Sequence, residues 1–238
     1  AVLPFPHAAT LLVMIRKFLK YAFVVLVGWP VIFVWLQVRV HARERLPARG
    51  PAIIVANHNS HLDTVALLVL FPLRQLASLR PVAAADYFMS SRLLAWFARR
   101  AIDVIPVARG GHVEGVDPLH ACHDALARGE ILIIFPEGTR GAPEQMGEFR
   151  SGVAYLAERH PGVPVIPVFM HGFGIAMPRG AALPVPGAAD IHVGAPLEFK
   201  STREAFMAAL RGAFDDLRAG WLARRMQKVM EGARSCRP

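Results

Sequence analysis

Ala52-Ile53-Ile54-Val55-Ala56-Asn57-His58-Asn59-Ser60-His61-Leu62-Asp63 is the stretch that decides the fold. It opens as five apolar residues in a row, with no alternation. Such a run suits a strand covered on both faces rather than one half-exposed to water. It then turns polar at Asn57 and re-enters an apolar pattern over Leu62 to Leu70, the composition of a helix that follows a cap. Strand, polar turn, helix is one unit of an α/β layer. Similar apolar runs recur at Pro81–Ala84, Val104–Val107, Ile131–Phe135, Val165–Phe169 and Ile191–Val193. Helical patterns lie between them. Ser90 to Arg100 carries Leu93, Leu94, Trp96 and Phe97. Asp117-Pro118 reads as an N-cap with proline in the first turn, closed by Gly129, and Gly152 to Arg159 forms a further helix. Ser201-Thr202-Arg203-Glu204 reads as a capping box, opening a helix in which Phe206, Leu210, Phe214, Leu217 and Trp221 share one face. Its far end is basic, through Arg218, Arg224, Arg225 and Lys228. Strands alternating with helices give an α/β domain.

Upstream, Tyr21 to Leu36 runs for sixteen residues without a charge. A spanning helix needs about 20 apolar residues, so the segment is short. Gly28-Trp29-Pro30 interrupts it, and proline inside a helix removes a hydrogen bond. Positive residues flank both sides (Arg16, Lys17 and Lys20, then Arg39, Arg43, Arg45 and Arg49), which leaves orientation open. We expect residues 1–45 to form a membrane anchor, either helix–break–helix or one kinked span, ahead of a catalytic domain over 46–238. A secretory signal peptide is disfavoured, because no small-residue cleavage pattern follows Leu36.

The 238 residues are 54% hydrophobic with a formal net charge of +9; mean hydropathy is +0.36 and the isoelectric point is near 10.5. That balance favours polyanions and membrane contact. Nucleic acid is set aside, because the basic residues are scattered, with no aromatic–basic module and no finger spacing. Two cysteines, Cys122 and Cys236, make no disulfide framework.

The chemistry-bearing residues fall into four groups. His58 stands where a strand ends, and Asp63 lies in the first turn of the next helix. The carboxylate can orient one ring nitrogen and leave the other as a base. The plainer account is that Ser60 and Asp63 form a capping box and His58 is a loop residue. No metal site is expected, since His58 and His61 lack the i, i+4 spacing of a helical zinc pair and no HExxH occurs. Phe135-Pro136-Glu137-Gly138-Thr139-Arg140 is a turn after a strand. There a glycine lets backbone approach a ligand and Arg140 offers a planar fork for phosphate, with Glu137 free to hold the arginine or a hydroxyl. Asp103 to Gly111 delivers Arg109, a second candidate clamp, to a glycine loop. Val163-Pro164-Val165-Ile166-Pro167-Val168 carries two prolines, which fits an edge strand or a corner.

These four stretches, in this order, resemble the glycerolipid acyltransferase family, most closely its 1-acylglycerol-3-phosphate acyltransferase branch, over roughly residues 40 to 200. The family's His-x4-Asp block matches Asn57 to Asp63, and its third block matches Phe135 to Arg140. Phe149-Arg150-Ser151-Gly152 resembles the aromatic–basic–x–glycine that follows. At Asp103 this chain continues with Val104, where many members carry arginine. The resemblance implies a mixed, largely parallel sheet flanked by helices, with an acyl tunnel facing the membrane. It implies transfer of an acyl group from an acyl-CoA or acyl carrier protein thioester to the free hydroxyl of 1-acylglycerol-3-phosphate, giving phosphatidic acid. His58 would be the base and Asp63 its orienter. Arg109, Glu137, Gly138, Thr139 and Arg140 would hold the acceptor, and backbone N–H groups near Asn59 would receive the oxyanion. No metal or redox cofactor is expected. The partners would be membrane lipids, the lysophospholipid and the thioester carrier, at the cytoplasmic face of the inner membrane. An acceptor of another headgroup, an amino-acid-based lyso-lipid, a thioesterase that activates water, or a non-catalytic lipid-binding protein are the competing readings.

Overall fold

The computed structural model describes residues 6–85, 102–108, 117–139, 141–178, 181 and 183–235. Seven strands form one sheet: β1 (Arg39–His41), β2 (Ala52–Ala56), β3 (Leu79–Ala84), β4 (Ile105–Val107), β5 (Ile131–Ile134), β6 (Val165–His171) and β7 (Asp190–Val193). Their order is β1-β7-β6-β2-β5-β3-β4. Every pairing is parallel except β6 with β7. The sheet is thus mixed and largely parallel, as the resemblance implied.

β2 lies at the centre and every residue of it is buried. Because successive side chains alternate faces, Ile54 and Ala56 enter one apolar layer and Ile53 and Val55 the other. The first layer is closed by the N-terminal helix α1 (Pro6–Phe23) and by α2 (Leu62–Val69). The second is closed by α3 (His120–Ala127), α4 (Gly152–Arg159) and the long α6 (Arg203–Ser235), while the short α5 (Phe173–Ala176), which follows β6, packs into the first. α3 is capped by Asp117, whose Oδ1 accepts from Leu119 N at 2.9 Å, and ends at Gly129 with φ +75°. Thr202, rather than Ser201, caps α6: its Oγ1 accepts from Ala205 N at 3.2 Å. Phe206, Leu210 and Phe214 are buried on the expected face. Cys122 is buried in the α3 layer, while Cys236 and the helical pattern at Ser90–Arg100 lie outside the described residues.

Three features differ from expectation. Of the two forms expected for the N-terminal segment, helix–break–helix is not seen at Gly28–Pro30. The chain continues from α1 through two π-helical stretches, Val24–Gly28 and Pro30–Trp35. The wider turn accommodates proline in a continuous helix, since π-bulges alter the hydrogen-bond ladder locally. Val24, Gly28, Ile32 and Leu36 form the buried stripe. A Cβ on Gly28 would lie 3.0 Å from Val69 and 3.1 Å from Val65, so the glycine sets the close approach to α2. Lys20 Nζ donates to Leu79 O at 2.7 Å, pinning the helix to the sheet. Away from the stripe, Phe18, Leu26, Trp29 and Val34 are exposed. Lys17–Trp35 is long and apolar enough to cross a membrane.

Second, residues 39–45 belong to the sheet domain rather than to an anchor. β1 pairs with β7, Arg43 Nη2 donates to Leu70 O at 2.5 Å, and Arg45 Nη1 donates to Val193 O at 3.2 Å. Third, β6 is not an edge. It lies between β2 and β7 despite Pro164 and Pro167. Pro167 faces Gly194, whose N–H donates to Pro167 O at 2.8 Å. The missing proline donor therefore falls where β7 has just ended.

Candidate active site

The carboxyl ends of β2 and β5 are neighbours, so the turns that follow them meet. Asn57 fixes the first turn: its Nδ2 donates to Met170 O at 2.8 Å and its Oδ1 accepts from Met170 N at 2.7 Å, stapling it to β6. His58 Nδ1 lies 3.0 Å from Asp63 Oδ2. The same oxygen accepts from Asn59 N at 2.6 Å and from Ser60 N at 2.7 Å. The capping arrangement and the histidine–carboxylate pair are therefore both present, and one oxygen serves both. Asp63 is fully buried, and burial pushes its carboxyl above the ordinary range; the His58 ring and the N–H groups of Ser60 and Asn59 pull against that shift. Three donors converging on one oxygen favour the carboxylate form. With Nδ1–H facing that carboxylate, Nε2 is the ring's acceptor nitrogen. The His58 side chain is 18% exposed. Its ring stacks on Phe135, centroids 4.1 Å apart.

Glu137 ties the second turn to the first. Its Oε1 accepts from His58 N at 2.9 Å and its Oε2 accepts from Gly147 N at 2.8 Å. Burial raises its carboxyl above the usual range, opposed by the N–H groups of Gly147 and His58. Gly141 N reaches His58 O at 3.4 Å. Gly138 has φ +71°, and a Cβ there would lie 2.8 Å from Arg150 Nε, so a side chain at this point of the turn is blocked. Thr139 is exposed at the end of that turn, and Arg109 and Arg140 lie outside the described residues.

The structure thus brings His58, Asp63, Glu137 and Gly138 together at the carboxyl edge of the sheet. Among the described residues both Glu137 oxygens accept from backbone N–H groups. The Asn59 N–H, in the stretch whose backbone was expected to receive an oxyanion, is directed at Asp63. Sequence reasoning missed a second strut in the same turn: Glu144 accepts from Gly172 N and Gly174 N, each at 3.0 Å, and lies 2.7 Å from His171 Nδ1. A glutamate beside prolines and glycines carries no local signal of such contacts.

A family model described as Acyltransferase matches residues 37–171. The chain is 31% identical over 151 residues to a chloroplastic 1-acyl-sn-glycerol-3-phosphate acyltransferase of Arabidopsis thaliana, covering 63% of this chain and 40% of that one. It is 31% identical over 184 residues to a 1-acyl-sn-glycerol-3-phosphate acyltransferase of Pseudomonas aeruginosa, covering 74% and 67%. It spans about two fifths of the length of the plastid relatives it matches. The crystal structure of the 1-acyl-sn-glycerophosphate acyltransferase from Thermotoga maritima superposes with a TM-score of 0.59 at 22% identity, covering 88% of this chain and 97% of that one, and shares the fold. With the matched region holding both turns and more than half of its residues, the chain belongs to the glycerolipid acyltransferase family.

Proposed function

We propose that this protein transfers a fatty acyl group from an acyl thioester, acyl-CoA or acyl carrier protein, to the free hydroxyl of 1-acylglycerol-3-phosphate, giving phosphatidic acid. The observation that carries the reading is the contact of His58 Nδ1 with Asp63 Oδ2 at 3.0 Å, in a turn joined to the Glu137 turn through His58 N. His58 Nε2 takes the hydroxyl proton as the oxygen attacks the thioester carbon. The new C–O bond forms, the C–S bond breaks, and the imidazolium returns its proton to the departing thiolate. Asp63 holds Nδ1–H throughout and stabilises the imidazolium. General base catalysis of this kind contributes about 10²–10⁴-fold. No nucleophilic serine or cysteine is needed, and the reaction as written calls for no metal or redox cofactor.

Gly138, Thr139 and Arg140, with Arg109, are the candidates for gripping the acceptor's phosphate and glycerol. Glu137 braces the turn that carries Gly138 and Thr139. The exposed apolar flank of the N-terminal helix supports a cleft held at a bilayer, where both acyl tails reside, and we assign it to the cytoplasmic face of the inner membrane.

The test offers purified full-length protein lysophosphatidate and one acyl-CoA, following thiol release and lipid products together. Phosphatidic acid in step with thiol, lost in His58→Ala with the fold intact, supports the reading. Free fatty acid released whether or not the acceptor is present makes the protein a hydrolase instead.

A further inference from the structure

A second polar site lies on the same sheet edge, two strands from β2. The sheet face of β1 and β7 and the far half of α6 enclose a cleft of about 530 Å³. α6 packs on β6 and β7 as far as Trp221, whose Nε1 donates to Asp190 Oδ2 at 3.2 Å, then runs on past that edge. Arg39, Arg224, Arg225 and Lys228 line the cleft against two carboxylates, Asp190 and Glu231.

At its floor His41 and His192 stack in parallel, centroids 4.2 Å apart and planes 5° apart. Arg224 Nη2 lies 2.7 Å from His192 Nδ1. A guanidinium only donates, so Nδ1 accepts and the ring proton sits on Nε2. His192 is 1% exposed and that Nε2 is buried with no partner among the described residues. A buried donor left unmatched calls for an acceptor.

The rim has a different character. Ile175 and Val185 line the mouth, Leu183 beside them is 80% exposed, and Trp35 Nε1 at the end of the N-terminal helix donates to Pro184 O at 3.0 Å. The apolar flank of that helix is therefore continuous with the lip of a basic cleft. On α6 beyond Trp221, exposed Leu222, Met226, Val229 and Met230 fall at i, i+4, i+7 and i+8, one stripe of a helix.

A cleft lined by four basic side chains inside an apolar lip matches one chemical class. We propose that this cleft holds the phosphate headgroup of an anionic membrane phospholipid, with its tails running out over Trp35, Leu183 and Val185. The lipid would fasten the domain to the bilayer beside the helix, separately from the His58 turn. A divalent metal is the competing occupant, since ligand atoms of His41, Asp190 and His192 lie within 4.8 Å of one another. Two guanidiniums already hold those atoms, Arg39 at Asp190 Oδ1 (3.0 Å) and Arg224 at His192 Nδ1. Both would repel a dication, whereas both favour a phosphate.

The test measures binding of dioctanoyl phosphatidylglycerol, which is neither substrate nor product of the proposed reaction, to the full chain in neutral detergent. Dioctanoyl phosphatidylcholine, inorganic phosphate, coenzyme A and Zn²⁺ serve as comparisons. Wild type should prefer phosphatidylglycerol over phosphatidylcholine. Arg224→Ala/Lys228→Ala should lose roughly 30-fold in phosphatidylglycerol affinity, at about 1 kcal/mol for each basic residue at an anionic surface. Its acyl transfer in detergent should be unchanged. Lys228→Glu, at an exposed position, repeats the test should the double variant unfold. His58→Ala should bind the lipid like wild type, so failure of the acyl-transfer reading and failure of this one are told apart. Undiminished preference in both cleft variants overturns the proposal. So does displacement of the lipid by coenzyme A, which would make the cleft a donor site, or by inorganic phosphate at equal affinity. Zn²⁺ binding that is lost in His192→Gln would overturn it in favour of a metal.

Discussion

Two histidine–aspartate groups sit on one edge of one sheet, and their neighbours give them opposite characters. At the end of β2, Asp63 meets a single imidazole and two uncharged N–H groups. Among the described residues no fixed cation competes for it, so its charge is available to a proton on His58. Across β6, Asp190 is claimed by Arg39 through both oxygens and by Trp221, and His192 by Arg224. There the permanent cations have taken the roles a titrating ring would play. The same residue types thus make a candidate base in one place and a candidate anion site in the other. What distinguishes them is whether the carboxylate's partner can lose its proton.

The comparison breaks first, and hardest, on turnover. His58→Ala and Asp63→Asn should each lower kcat by about 10²–10⁴-fold, measured as phosphatidic acid formed under saturating acceptor. Asp190→Asn and His192→Gln should leave it unchanged. Equal losses at the two sites would mean that the edge works as one charge network and that His58 has no special role.

A finer contrast uses the two glutamates of the intervening turn. Glu137 braces His58 N and Gly147 N; Glu144 braces Gly172 N, Gly174 N and His171. Replacing either by glutamine sets an NH₂ against a buried N–H, a cost of about 1–3 kcal/mol readable as a lower urea midpoint. Only Glu137→Gln moves the residue that carries the imidazole, and a displacement near 1 Å costs up to about 10²-fold in rate. We expect similar destabilisation in both variants and a kcat loss in Glu137→Gln alone.

These struts also show which parts of the molecule could be read in advance. β2 and β5 are apolar throughout because both faces are covered, and their sequences say so. The spacing of His58 and Asp63 spans a strand end and a helix start, two local features, and so it too could be read. β1 could not: Arg39-Val40-His41 is three residues long and pairs only with β7, a partner some 150 residues away. Pro164 and Pro167 pointed to an edge because proline lacks a donor. Pro164 lies just ahead of β6, and only the end of β7 at Gly194 shows why the centre tolerates Pro167. Gly28-Trp29-Pro30 pointed to a break, but packing against Val65 and Val69 holds the helix together through it. Glu137 and Glu144 act on backbone groups brought close by the fold, and no side-chain pattern announces that.

The smallest effect separates the two sites by pH. His192 has its pKa lowered from 6.5 to about 4, first by burial and then by the charges of His41 and Arg224, against the opposing pull of Asp190. The unfolded chain therefore takes up this proton before the folded one as the medium is acidified. Stability attributable to His192 is full above about pH 6.5 and declines as pH falls toward 4. Between pH 6.5 and pH 5 the loss reaches at most about 2 kcal/mol, at 1.36 kcal/mol per unit. Burial fixes the sign; of the groups facing the ring, His41, Arg224 and Arg39 add to it and Asp190 opposes it. Thermal unfolding at pH 7 and pH 5 should show a larger fall in Tm for wild type than for His192→Gln, whose amide oxygen can still accept from Arg224 without titrating. An identical fall in both proteins would place the acid sensitivity elsewhere and remove the contrast between a ring kept neutral by burial beside guanidiniums and a ring paired with a carboxylate.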